Sequence, residues 1–247
     1  MSDRLTESGD EPEPRHIAFV LYPGLTLLDM VGPLQVLGGL PAPFRTTVVG
    51  ARIEPMESDT PLRVAPDATF ADVPHPFAVI VPGGSAGTIR AMADPEVQGY
   101  LTSACETAEV VGSVCTGAMV LAAAGLLEGR NATTHWAFAE HLNRLGATYQ
   151  RQRWVEDGKF ITAAGVSAGI DMGLQLAGRL AGKEYAQRIQ AVLEYDPQPP
   201  FGPMDWSLAE PSSWWSRMGT DAEQRSWLAG LLDGRPDLVE RLTSSAG

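Results

Sequence analysis

At 247 residues and 44% hydrophobic content, the chain can bury one substantial core, so a single α/β domain is the default expectation. Lys and Arg number 18 against 30 Asp and Glu, and the net charge of −12 repels phosphate backbones and anionic bilayers, which argues against nucleic-acid and membrane partners. Two cysteines make no disulfide framework, and no CxxC or close Cys/His cluster offers a tetrahedral metal site; reduced thiols and a cytoplasmic location are expected.

Residues 1–14 are polar and acidic where a secretory signal needs a basic end and an apolar stretch, and they read as a disordered acidic leader. The apolar run 17–22, stopped by Pro23-Gly24, suits a strand covered on both faces of a parallel sheet. Leu34, Val36 and Leu37 carry a helical pattern beginning at Pro33, a residue tolerated in a first turn. Strands follow over 45–50 and 77–81, with a small β excursion over 62–70 between them. In the next helix, 95–108, Val97, Leu101, Ala104, Cys105 and Ala108 share one face, which makes Cys105 a packing residue. A further buried strand ends at Val114, a helix runs from Thr116 to about Gly125, and a short strand over 131–134 meets His135-Trp136 and a helix through Leu145. Residues 154–162 read as a hairpin around Asp157-Gly158, followed by helices over 168–181 and 184–193. Strands alternating with helices imply a parallel sheet covered on both sides.

Beyond 196 the composition changes. Pro197, Pro199, Pro200, Pro203 and Pro211 rule out one regular element there, while Trp206, Trp214 and Trp215 are expected to pack on the chain's own domain or on a partner subunit. Residues 220–242 read as one or two short helices broken at Gly234-Arg235-Pro236. The expected organisation is therefore a leader over 1–14, an α/β domain over 15–201 and a Trp/Pro-rich C-terminal extension over 202–247.

Cys115 stands where the buried strand turns sharply into a helix, with small residues Ser113 and Gly117 two positions to either side. That is the pattern of a nucleophile elbow, whose strained turn brings backbone segments close together. The helix start is expected to favour the thiolate; the competing reading is a buried structural cysteine. Ligands of open α/β sheets bind beyond the carboxyl ends of the strands, so the loops after 22, 81 and 114 are expected to converge. Asp29, the one carboxylate in the apolar segment 25–33, is either a helix N-cap or a working acid whose pKa its neighbours raise. Gly83 and Gly84 can present amides to developing negative charge; a phosphate loop is disfavoured, because no G-x-G-x-x-G is present. Thr116 either offers an amide and a hydroxyl beside the sulfur or simply begins the helix. His135 reads more readily as structural, and His16, His75 and His141 have no supporting context.

Five segments taken together, Leu28-Asp29-Met30-Val31-Gly32-Pro33, Ile80-Val81-Pro82-Gly83-Gly84, Ser113-Val114-Cys115-Thr116-Gly117, Ala132-Thr133-Thr134-His135-Trp136 and Val166-Ser167-Ala168-Gly169-Ile170-Asp171, resemble the PfpI superfamily, relatives of the class I glutamine amidotransferases. The resemblance spans about 16–201. Within the superfamily the chain is most similar to the isocyanide hydratases, because its elbow reads Cys115-Thr116-Gly117 where protease-like members have Cys-His-Gly, and Asp29 stands where many members have Glu. The resemblance implies a flavodoxin-like three-layer α/β sandwich with a mostly parallel sheet and a cysteine nucleophile elbow. It further implies a homodimer with active sites near the interface, a small-molecule substrate, and no metal or organic cofactor. Cys115, Asp29 and Thr116 would be catalytic and Gly83 and Gly84 oxyanion-binding. His135 and Val166 would be secondary, Val166 as a pocket-lining candidate with Trp136 and Trp154.

The implied reaction is hydration of an isocyanide to an N-formamide through a covalent cysteine thioimidate. Glyoxalase or amidase chemistry at the same elbow, or a redox-sensing or ligand-binding role without catalysis, are the alternatives. A similar pattern occurs in the sensor halves of AraC-type regulators, which carry a long DNA-binding domain that the acidic stretch after Asp196 does not resemble.

Overall fold

The computed structural model of the chain describes residues 13–209 and 220–244. The first apolar run becomes β1 (Arg15–Val20), followed by α1 (Leu27–Leu37) and β2 (Phe44–Gly50). The excursion forms β3 (Met56–Glu57), β4 (Arg63–Val64) and β5 (Ala68–Thr69), after which β6 (Ala78–Val81) leads into α2 (Ala86–Ala93) and α3 (Pro95–Thr107). Next come β7 (Val110–Val114), α4 (Gly117–Ala123), β8 (Asn131–Ala132), α5 (Ala139–Arg144) and β9 (Thr148–Tyr149). The hairpin β10 (Trp154–Asp157) and β11 (Phe160–Ala163) precedes α6 (Ala168–Ala181) and α7 (Lys183–Val192); α8 (Asp221–Leu231) and α9 (Pro236–Thr243) close the described chain.

The central sheet has the order β10-β11-β7-β6-β1-β2-β5, and every pair is parallel except the β10–β11 hairpin. Every residue of β6 and β7 is buried, as strands covered on both faces require, whereas the edge strand β10 fully buries only Val155. Helices α1, α6 and α7 pack together as one layer, while α2, α3 and α4 form another that α5, α8 and α9 extend. The chain is thus a three-layer α/β sandwich whose β1, β6 and β7 carboxyl ends lie side by side.

Two local expectations change. Helix α1 begins at Leu27, not at Pro33, so Pro33 lies inside it and removes the amide that would bond the Asp29 carbonyl. The near-continuous apolar segment ahead of Pro33 gave no amphipathic period from which to read this helix. Asp29 consequently falls in the first turn, and Thr26 takes the N-cap position, so the capping reading of Asp29 fails. Cys105 packs in the core as expected, where burial pushes its thiol up to about 11.

Beyond α7, the helices α8 and α9 bury Leu228, Leu232, Leu238, Val239 and Leu242 against the domain. The stretch between α7 and residue 209 differs: Phe201 and Leu208 are exposed, and half-exposed Trp206 carries the Arg151 guanidinium 4.4 Å from its ring centre. Trp214, Trp215 and residues 1–12 lie outside the described residues. No helix among the described residues is long and apolar enough to cross a membrane.

Candidate active site at the Cys115 elbow

Between β7 and α4, Cys115 adopts φ +55°, a left-handed conformation that costs a non-glycine residue roughly 1–2 kcal/mol. Both of its peptide groups are tied down. The Cys115 amide lies 3.1 Å from the Ala163 carbonyl and 2.8 Å from that of Ala164, and the Thr134 hydroxyl donates to the Cys115 carbonyl at 2.9 Å. Gly117 makes the turn possible, since a Cβ there would lie 2.1 Å from the Val81 carbonyl oxygen. Ser113, at the other small position, is fully buried, and its hydroxyl has no hydrogen-bond partner.

Three loops meet at the sulfur. Thr26 donates its amide to the Gly83 carbonyl at 2.7 Å, which stitches the loop after β1 to the loop after β6. Asp29 Oδ2 then accepts from the Gly83 amide at 2.9 Å, while the buried Oδ1 has no hydrogen-bond partner of its own in the fold. A Cβ on Gly83 would stand 2.6 Å from both the Thr116 nitrogen and Oγ1 and 2.8 Å from Asp29 Oδ2, so this glycine is wedged between the acid and the elbow. The convergence expected from the strand ends is therefore realised in the packing of Asp29, Gly83 and Thr116.

The electrostatics differ from the sequence expectation. Burial, and then the Asp29 charge, push the Cys115 thiol well above its ordinary value, and the amide and hydroxyl of Thr116 only partly oppose this. Desolvation and a facing carboxylate thus favour the thiol and oppose the thiolate that a seven-residue helix would stabilise. Burial likewise raises Asp29 to about 7, with the Gly83 amide and the Cys115 thiol pulling it back down. Acid and thiol each contribute to the other's shift, so they titrate as a coupled pair.

Gly83 and Gly84 do something other than expected. The Gly83 amide already serves Asp29, and the Gly84 amide donates to Thr116 Oγ1 at 2.9 Å, so both hold working side chains instead of facing the sulfur as open donors. The donors that act on the sulfur are the amide and the hydroxyl of Thr116. His135 caps the short 3₁₀ turn Trp136–Phe138, its Nδ1 accepting from the Ala137 amide at 3.3 Å. Its neighbour Thr134, not His135, bonds the elbow. Val166 lies in the β11–α6 loop, partly buried against the core, two residues beyond Ala164, whose carbonyl with that of Ala163 receives the Cys115 amide. Cys115 keeps 6% of its surface exposed and Asp29 none. Among the described residues, no group of three or more His, Cys, Asp or Glu side chains is arranged to hold a metal ion.

The sequence profile of the DJ-1/PfpI family matches residues 15–179, a span that contains the acid, the glycine pair and the elbow. The chain belongs to the DJ-1/PfpI family. A Pseudomonas putida protein named isonitrile hydratase is 44% identical over 185 residues, covering 75% of this chain and 80% of that protein. The crystal structure of a ThiJ/PfpI family protein from Pseudomonas syringae superposes with a TM-score of 0.79 at 33% identity, covering 94% of this chain and 97% of that one. The HTH-type transcriptional regulator CdhR of Pseudomonas aeruginosa is 32% identical over 158 residues, which cover 61% of this chain but only 46% of the regulator.

Sequence reasoning missed Thr134, which binds the elbow carbonyl, and Thr88, which reaches the Thr116 hydroxyl at 2.8 Å. Neither carries a local signal, because threonine at a strand end or in a helix becomes a site residue only through contacts remote in the chain.

Proposed function

We propose that the protein hydrates isocyanides to N-formamides, with Cys115 as nucleophile and Asp29 as the group that moves protons. One observation carries this reading: a cysteine in a left-handed turn has its thiol against a buried carboxyl that titrates near neutrality. The similarity to the P. putida isonitrile hydratase supports the substrate class.

In this reading Asp29 starts ionised and Cys115 protonated. The sulfur adds to the terminal carbon of R–N≡C as its proton passes to Asp29, which then delivers that proton to the same carbon. The result is the thioimidate R–N=CH–S–Cys115. Water next bonds to this carbon as ionised Asp29 takes one of its protons and passes it to the imine nitrogen, giving R–NH–CH(OH)–S–Cys115 with Asp29 ionised again. Collapse breaks the C–S bond with the electron pair going to sulfur, and Asp29 relays the hydroxyl proton to it. The formamide leaves and the resting pair is restored. The amide and hydroxyl of Thr116 stabilise charge on the sulfur, while Gly83 and Gly84 fix the acid and Thr116 in register. No step calls on a metal or an organic cofactor. Incubating purified protein with an aryl isocyanide and following formamide by absorbance tests the reading, with no turnover above a Cys115→Ala control as the result against it.

The same proposal includes a homodimer. Helix α1 presents Leu28 and Val31 to solvent close to Asp29, and Val31 continues into an apolar groove with Leu34, Ile189, Val192 and Leu193. Val31→Asp is expected to turn a dimer into a monomer in sedimentation velocity, since an unpaired carboxylate in the contact is strongly disfavoured. A monomeric wild-type protein would contradict this part.

A further inference from the structure

Behind the elbow a line of buried hydroxyls leads back from Thr116, and its remoter members, Thr88 and Tyr22, have no part in the mechanism above. Tyr22, just beyond β1, donates to the Pro82 carbonyl at 2.6 Å, and its oxygen is 3.2 Å from Thr88 Oγ1 in α2. Thr88 Oγ1 is in turn 2.8 Å from Thr116 Oγ1. Thr116 makes a double contact with Gly84, accepting from its amide at 2.9 Å and donating to its carbonyl at 2.7 Å. Tyr22, Thr88 and Thr116 are all buried, so water does not complete their hydrogen bonds from outside.

Counting protons gives this line a direction. The Pro82 carbonyl has none to give, so the single Tyr22 proton is committed there and the Tyr22 oxygen can only accept. The Gly84 amide is a fixed donor. Thr88 has one proton and two acceptors, Tyr22 at 3.2 Å and Thr116 at 2.8 Å, and the shorter contact takes it. Thr116 Oγ1 then accepts twice, and its own proton is left with two acceptors only, the Gly84 carbonyl and the Cys115 sulfur. If Thr88 gave its proton to Tyr22 instead, the Thr88 oxygen would draw the Thr116 proton away from the sulfur.

We propose that Thr88 is a positioning residue, which by donating to Thr116 Oγ1 keeps the Thr116 proton at the Gly84 carbonyl, ready to turn to the Cys115 sulfur whenever that sulfur becomes an anion. A hydroxyl that accepts two hydrogen bonds is also a better donor, so the thiolate gains from Thr88 without touching it. The role rests on the hydratase reading for its effect on turnover, where the sulfur leaves as an anion, but not for its effect on the thiol itself.

Thr88→Val keeps the shape and removes the hydroxyl. It is expected to lower kcat for isocyanide hydration about fivefold at unchanged KM, the scale of one net hydrogen bond. The rate of Cys115 alkylation by iodoacetamide at fixed pH, read by peptide mass spectrometry without any isocyanide, is expected to fall by a similar factor of about five. Thr88→Ser should restore both, which a purely packing role would not do. If Thr88→Val does not fold, Thr88→Ala carries the same two readouts. Alkylation at the wild-type rate, or Thr88→Ser as slow as Thr88→Val, overturns the proposal. Slowed alkylation in a protein that never turns over isocyanides would sink the hydratase reading and leave Thr88 in its role.

Discussion

Asp29→Asn is expected to lower kcat for isocyanide hydration by about 10²–10⁴-fold, the range of a lost general acid–base group, with Cys115 still present and alkylatable. The amide can still accept from the Gly83 amide, so the loop contact survives, but it cannot take the thiol proton or hand it to carbon. In the wild type, Asp29 must be ionised to receive that proton, so kcat/KM should rise with pH through about 7. The residual activity of the variant should lack this limb. The same shift bears on stability. The folded value near 7 is raised above the ordinary 3.8, so the fold binds this proton more tightly than the unfolded chain does. Its contribution is full below the ordinary value and is lost as pH rises through the folded one. Above neutrality Asp29→Asn should therefore be the more stable protein, by on the order of 4 kcal/mol, with the gap closing in acid. Thermal melts at matched pH values check this, and a variant that is equally active, or that shows the same acid limb, would remove Asp29 from the mechanism.

Gly117→Ala is expected to destabilise the fold by about 4 kcal/mol or more, or to abolish it. The added methyl would sit 2.1 Å from the Val81 oxygen and 2.9 Å from the Pro82 oxygen, both backbone atoms. Relief would require α4 to move off β6, which carries the elbow with it. Gly99→Ala is the matched control, since it lies within α3 with nothing within 4 Å of its new Cβ; there the helix gains about 0.5–1 kcal/mol. Denaturant unfolding of the two variants should move in opposite directions.

The alternation of apolar runs with helical periods was enough to read the parallel sheet, because buried strands such as β6 and β7 are apolar at every position but Gly112 and Ser113. The Asp157-Gly158 hairpin and the break at Gly234-Arg235-Pro236 were legible for a similar reason, as turn chemistry is local. Helix α1 was misplaced since its first half is apolar on nearly every side, which hides the period, and Pro33 looked like a start. At the site, Cys115 and Gly117 announced themselves through steric need within five residues. The protonation of the pair was not legible. It depends on how deeply two loops bury each other, and the sequence shows a helix start beside the sulfur but not the carboxylate facing it. The diversion of the Gly83 and Gly84 amides to Asp29 and Thr116 has the same origin, as does the obscurity of Thr88. Each is a contact between residues that only folding brings together.

The central claim is that Cys115 itself bonds to the substrate carbon. Protein mixed with excess aryl isocyanide and quenched in acid within the first turnovers, then digested for mass spectrometry, tests it directly. The account predicts a Cys115 peptide heavier by the mass of one isocyanide, with Cys105 unmodified, and its decay as formamide appears. Formamide produced at a wild-type rate by Cys115→Ala, with no adduct on the native thiol at any time, would contradict it.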